Sequence, residues 1–191
     1  LMFEDTAAGA VPRHAFAAPT PQDFLHRATQ GVCAINAWFF RRRVYDRIGF
    51  FSTDYAMASD RDFLLRFWQD GCAFVPLDVP VYRYRHHAGS LTVTDQRGLG
   101  TMDMLDENLR LARHWRAGAG DERLRASARA WIRATALEKV ILFARNGRVV
   151  KAGAAAARQF AEDPAWLLHV SSVLPGKVLS SCRRRCRERS R

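Results

Sequence analysis

An acidic pair, Asp60 and Asp62, opens the apolar segment Phe63-Leu64-Leu65-Arg66-Phe67-Trp68. Free backbone N–H groups and the helix dipole stabilise carboxylates in a first helical turn, and a cleft can withdraw one of them from water. Asp62 stands four residues before Arg66, the spacing of a helical ion pair, which is its simplest role. Asp60 has no such partner on its own helix. It reads either as a helix cap or as a general base in a cleft. An Asp-x-Asp pair also raises a cation site for a nucleotide diphosphate. Such sites usually follow an apolar strand, whereas this pair opens a helix with Arg61 between the acids, so a metal is the lesser reading.

The second set is Arg83-Tyr84-Arg85-His86-His87-Ala88-Gly89-Ser90-Leu91-Thr92. On a strand, side chains alternate, so Arg83, Arg85 and His87 share one face while Tyr82, Tyr84 and His86 share the other. Two guanidiniums and an imidazole in a row make a cradle for a diphosphate. The same row on an edge strand is merely solvated. Gly89 lets the chain turn sharply, with the hydroxyls of Ser90 and Thr92 just beyond.

The elements that must position these residues follow from pattern and punctuation. Residues 6–20, with Gly9, Pro12 and Pro19, read as a loop. Thr20 and Pro21 read as the cap and first position of a short helix over 22–28. Residues 31–40 are apolar and aromatic, and 41–48 form a basic helix closed by Gly49. Ser59 or Asp60 caps a helix that reaches Asp70 and stops at Gly71, its Phe63, Leu64, Phe67 and Trp68 recurring at three- and four-residue spacing. Residues 72–75 and 79–85 are strand candidates around Pro76 and Pro80. Beyond Gln96 the chain turns helical, over 101–115, 121–143 and 148–162, with a weak helix from Asp163-Pro164. Arg110, Arg113, Arg116, Arg123, Arg125, Arg129 and Arg133 line these helices and read mostly as a solvated face.

Of 191 residues, 48% are apolar and 11% aromatic, enough for a sizeable core, which excludes general disorder. The formal charge is +11, and Arg183, Arg184, Arg185, Arg187, Arg189 and Arg191 crowd the end against Glu188. Such a run is a solvated end or a contact for an anionic membrane surface, with nucleic acid less favoured. Cys33, Cys72, Cys182 and Cys186 lack zinc-site spacing and read as reduced thiols of a cytosolic chain. Residues 1–5 do not resemble a secretory signal. Residues 166–174, broken by His169, Ser171 and Ser172, fall short of the ~20 apolar residues that span a bilayer. The expected location is cytoplasmic, peripheral at the inner face of the membrane.

Both sets belong to an ordered series: Ala37-Trp38-Phe39-Phe40-Arg41-Arg42, Tyr45-Asp46-Arg47-Ile48-Gly49-Phe50-Phe51, Tyr55 through Arg66, and Tyr84 through Thr92. This series resembles the acceptor-side half of bacterial family 2 inverting glycosyltransferases. By that resemblance the fold is α/β. Residues 1–95 would be the C-terminal part of a Rossmann-like GT-A domain, and 96–191 an α-helical extension with a basic tail. Asp60 matches the acid that deprotonates the acceptor hydroxyl, Arg85 and His87 match the basic pair near the donor diphosphate, and Arg66 matches an arginine that supports the helix. Asp62 and Ser90 would support the site. The donor would be a nucleoside-diphosphate sugar, and the acceptor a polysaccharide, lipid-linked or other cell-envelope hydroxyl. A divalent cation, Mn or Mg, is implied for the full-length enzyme, and none for this segment alone. Ser52 stands where many relatives carry an aspartate. The family's first strand, Gly-rich nucleotide segment and strand-end metal acids would precede Leu1, so the segment alone is expected to be incomplete. The alternative, from another class, is a non-catalytic basic module that binds anionic membrane or nucleic acid through its arginines.

Overall fold

The computed structural model describes residues 2–6, 9–14, 19–31, 35–77, 79, 81–82, 84–86 and 99–174. Contacts group the chain into two units, Leu1–Ile132 and Arg133–Arg191.

In the first unit, strand β1 (Met2–Thr6) pairs antiparallel with β2 (Gly9–His14) and parallel with β3 (Tyr84–His86), in the order β2-β1-β3. Part of the loop expected over 6–20 is therefore a hairpin strand. Pro12 is tolerated because β2 lies at the sheet edge and the register shifts beside it, between Met2 and Phe3. Helix α1 (Phe24–Thr29) is preceded by a reciprocal cap. Asp23 N–H donates to Thr20 Oγ1 at 3.3 Å, and Thr20 N–H donates to Asp23 Oδ1 at 2.6 Å. Helix α2 (Arg42–Ile48) ends at Gly49, whose φ of 75° suits a residue without Cβ. Helix α3 (Ser59–Gln69) runs to a turn at Gly71, φ 68°.

Phe24 and Phe63 anchor an aromatic core between these helices, both fully shielded from solvent. Phe24 meets Phe74 at 5.3 Å between ring centroids, and Phe63 meets Phe40 at 5.0 Å and Phe51 at 4.5 Å. Each ring removes a large apolar area from water and adds edge or stacking contacts. Helix α4 (Leu99–Gly118) and the start of α5 (Glu122–Arg145) complete the unit, with Leu105, Leu111, Leu124 and Ile132 buried.

The expected α/β, Rossmann-like GT-A half is not what the chain builds. Among the residues whose side chains are described, the protein is all-α, with seven helices. The three-stranded sheet holds a single parallel pair and has no series of strands joined by crossover helices. The physical reason lies between α3 and β3. Pro76 removes a ladder donor from an apolar stretch that otherwise reads as a strand. Residues 72–77 take no regular structure, and Val75, Leu77 and Val79 are exposed. Among the described residues of the second strand candidate, 79–85, Tyr84 and Arg85 pair, as part of β3. The helical apolar pattern from residue 99 onward supplies the core instead.

The second unit contains the rest of α5, helix α6 (Val149–Glu162) and helix α7 (residues 166–174). Arg133 holds Asp163 with Nε and Nη2 at 2.6 and 3.1 Å, and the buried Trp166 donates Nε1–H to the Arg133 carbonyl at 3.0 Å. Among the described residues, no helix is long and apolar enough to cross a membrane.

Candidate functional site

Asp60 and Asp62 enter α3 in its first turn, as their spacing ahead of the apolar run predicts. The two carboxylates then part company. Asp62 is buried and fully engaged: Arg66 Nε donates to its Oδ2 at 2.9 Å, and Trp115 Nε1 of α4 donates to its Oδ1 at 3.3 Å. Arg66 also donates to the carbonyls of Ile48 and Phe50, tying α3 to the end of α2. The i,i+4 ion pair read for Asp62 is present.

Asp60 is different. Its Oδ1 accepts the adjacent Arg61 N–H at 2.7 Å, and no cationic side chain forms an ion pair with it among the described residues. Burial pushes its pKa above the ordinary 3.8, against the weaker opposing pull of the Arg61 N–H and of the Arg61 charge. The helix cap position belongs to Ala58, without a side-chain cap, so Asp60 is not the cap and neither is Ser59. Arg61 directs its guanidinium to backbone acceptors, donating to the carbonyls of Ala28, Thr29 and Gly31 at 2.7, 3.0 and 3.0 Å. It also lies over the Trp131 ring, 5.6 Å from the centroid. The acid beside it accepts the Arg61 N–H and feels the Arg61 charge, but forms no ion pair with it.

A further carboxylate holds the approach to α3. Glu107 of α4 accepts three backbone N–H groups, from Ala56 at 2.7 Å, Met57 at 2.6 Å and Ala58 at 2.8 Å. These charge-assisted bonds fasten the turn that delivers Asp60. Sequence reading did not single out Glu107 or Trp115. The available signal was an acid bordering the stripe Leu105, Asn108, Leu109, Ala112 and Trp115, which recurs at helical spacing.

The basic set is placed only by backbone. Arg85 sits in β3, opposite Phe3 of β1 in the parallel pair. His87 and Ser90 lie outside the described residues. A divalent cation does not fit the acidic pair. Both Asp62 oxygens are taken by Arg66 and Trp115, and no group of three His, Cys, Asp or Glu side chains is disposed to hold a metal among the described residues. The α4 and α5 arginines are not a plain solvated face either. Arg110 donates to the Asp54 carbonyl at 2.6 Å and lies over Tyr55, Arg123 lies over Trp68, and Arg125 donates to the Ala119 carbonyl at 2.9 Å. The arrangement as a whole offers one partly desolvated carboxylate at the start of α3, beside neighbours held by interactions of their own.

Comparison with models of known protein families, with characterised proteins and with solved structures found no match.

Proposed function

We infer that this chain carries the acceptor-side residues of an inverting glycosyl transfer, with Asp60 as the general base. The observation that carries the reading is the division of labour in α3: Asp62 is consumed by Arg66 and Trp115, while burial raises the pKa of the unpaired Asp60. A base must sit near the operating pH to accept a proton, and desolvation moves a carboxylate in that direction. The ordered resemblance from residues 37 to 92 adds the reaction class. In the step, the Asp60 carboxylate takes the proton of an acceptor hydroxyl. The oxygen forms a bond to the anomeric carbon of the donor, the bond from that carbon to the diphosphate breaks, and the configuration inverts. Arg85 and His87 would receive the charge on the departing nucleoside diphosphate. The acceptor class is a sugar or lipid-linked hydroxyl of the cell envelope, met at the cytoplasmic side.

The test uses the enzyme form that carries the donor-binding segment implied by the resemblance. Asp60→Asn should fold with unchanged helicity, and nucleoside-diphosphate release should fall by about 10²–10⁴. Transfer within about tenfold of the parent would remove Asp60 from the base role.

A further inference from the structure

Helix α6 wears its apolar side outward. Val150, Ala154, Ala157 and Ala161 form one stripe at four- and three-residue spacing, all exposed, and Val149 and Phe160 border it. Val150 is 84% exposed, Val149 68% and Phe160 45%. The inward side carries the small Ala152, Ala155 and Ala156, buried or half-buried, and among them a glutamine. Gln159 is 2% exposed, and neither its amide nitrogen nor its oxygen has a hydrogen-bond partner. A helix of a water-soluble core places these types the other way round. Helix α7 adds Leu167 and Leu168, also exposed.

Charge identifies what covers this face. The unit Arg133–Arg191 holds thirteen Lys and Arg against four Asp and Glu, a net of +9 out of the chain's +11. Lys151 and Arg158, seven residues apart, run along one flank of the α6 stripe and are both exposed, Arg158 beside Glu162. Arg145 and Arg148, also exposed, precede the helix. An apolar stripe edged by cations, on a 14-residue helix that is not long and apolar enough to span a bilayer, matches an interfacial helix on an anionic surface. A second copy would bring the same positive surplus to the contact, which like-charge repulsion opposes.

We propose that the outward face of α6 is a docking surface for an anionic lipid bilayer, with Val150 and Phe160 entering the headgroup boundary and Lys151 and Arg158 meeting lipid phosphates. This surface does not rest on the glycosyl-transfer reading and stands or falls separately from it.

Co-sedimentation of the full chain with vesicles tests it. The parent should pellet with mixed phosphatidylglycerol–phosphatidylcholine vesicles, lose most binding between about 50 and 300 mM salt, and ignore pure phosphatidylcholine. Val150→Gln with Phe160→Gln leaves the net charge and the buried core untouched, so its melting temperature should match the parent. Its partition into anionic vesicles should drop about tenfold. Lys151→Gln with Arg158→Gln should give a comparable loss at low salt and little change at high salt. If the Val150/Phe160 variant sediments like the parent, the terminal arginines alone attract lipid and the α6 face is not the contact. A parent that stays in solution with every vesicle also overturns the proposal. In that case, a concentration-dependent dimer in analytical ultracentrifugation, broken by the same double variant, would assign the face to a second copy.

Discussion

Asp60 and Asp62 share one helical turn and one chemistry, yet their surroundings assign them opposite tasks. For Asp60, a folded-state pKa above 3.8 means that the folded chain holds the proton more tightly than the unfolded one. Its contribution to stability is full below pH 3.8 and is lost as pH rises through the raised value. Asp60→Asn should therefore melt higher than the parent at pH 7, with the advantage shrinking as the pH is lowered into the acid range. A melting-temperature difference independent of pH would contradict the raised pKa of Asp60. Asp62 makes the contrary prediction. Asp62→Ala strands Arg66 and Trp115 and should cost about 2 kcal/mol in urea unfolding, with a change in tryptophan fluorescence. Glu107→Ala exposes three backbone donors to loss of their acceptor. We expect about 3 kcal/mol from that change and a smaller loss for Glu107→Gln, whose amide oxygen still accepts.

At the scale of elements, α3 and α6 are opposites. Helix α3 turns its aromatic side into a core built from Phe24, Phe40, Phe51 and Phe63. Removing one of those rings leaves a cavity, and Phe63→Ala should cost about 3–5 kcal/mol. Helix α6 turns its apolar side to solvent, so Val150→Ala should change stability by no more than about 0.5 kcal/mol. Denaturant titrations of the two variants side by side would check the contrast. A large loss from Val150→Ala would mean that the exposed stripe is engaged within the folded chain.

Over the whole molecule, the charge is divided unequally. The unit Leu1–Ile132 holds seventeen Lys and Arg against fifteen Asp and Glu, a net of +2, whereas the remaining residues carry +9. In the first unit many of the cations answer a carboxylate, a carbonyl or an aromatic ring, as Arg61, Arg66, Arg110 and Arg123 do. The surplus in the second unit has few acids to meet, so its self-repulsion opposes the compact state. Raising the salt from about 20 to 200 mM screens that repulsion and should raise the melting temperature by a few degrees. A melting temperature that falls with salt would show that the ion pairs, rather than the surplus, dominate.

The sequence by itself determined what depends on near neighbours. Gly49 and Gly71 stop helices, and Asp62 pairs with Arg66, because each interaction lies within a few residues along the chain; the cap read at Thr20 falls instead at Asp23, which bonds back to Thr20. The helices after residue 96 were legible in the same way, from apolar residues recurring at a period close to 3.6. Tertiary structure alone decided matters that depend on partners far away in the chain. Residues 72–77 do not become a strand, since a strand needs a neighbour to satisfy its backbone and Pro76 removes a donor. Asp60 is a half-buried acid and not a cap because Glu107, some fifty residues on, fastens the preceding turn and Arg61 turns its guanidinium to distant carbonyls. The outward orientation of α6 is the same kind of fact. Its periodicity marks an apolar face in the sequence, but which side meets water is fixed only when Ala152 and Gln159 are packed inward.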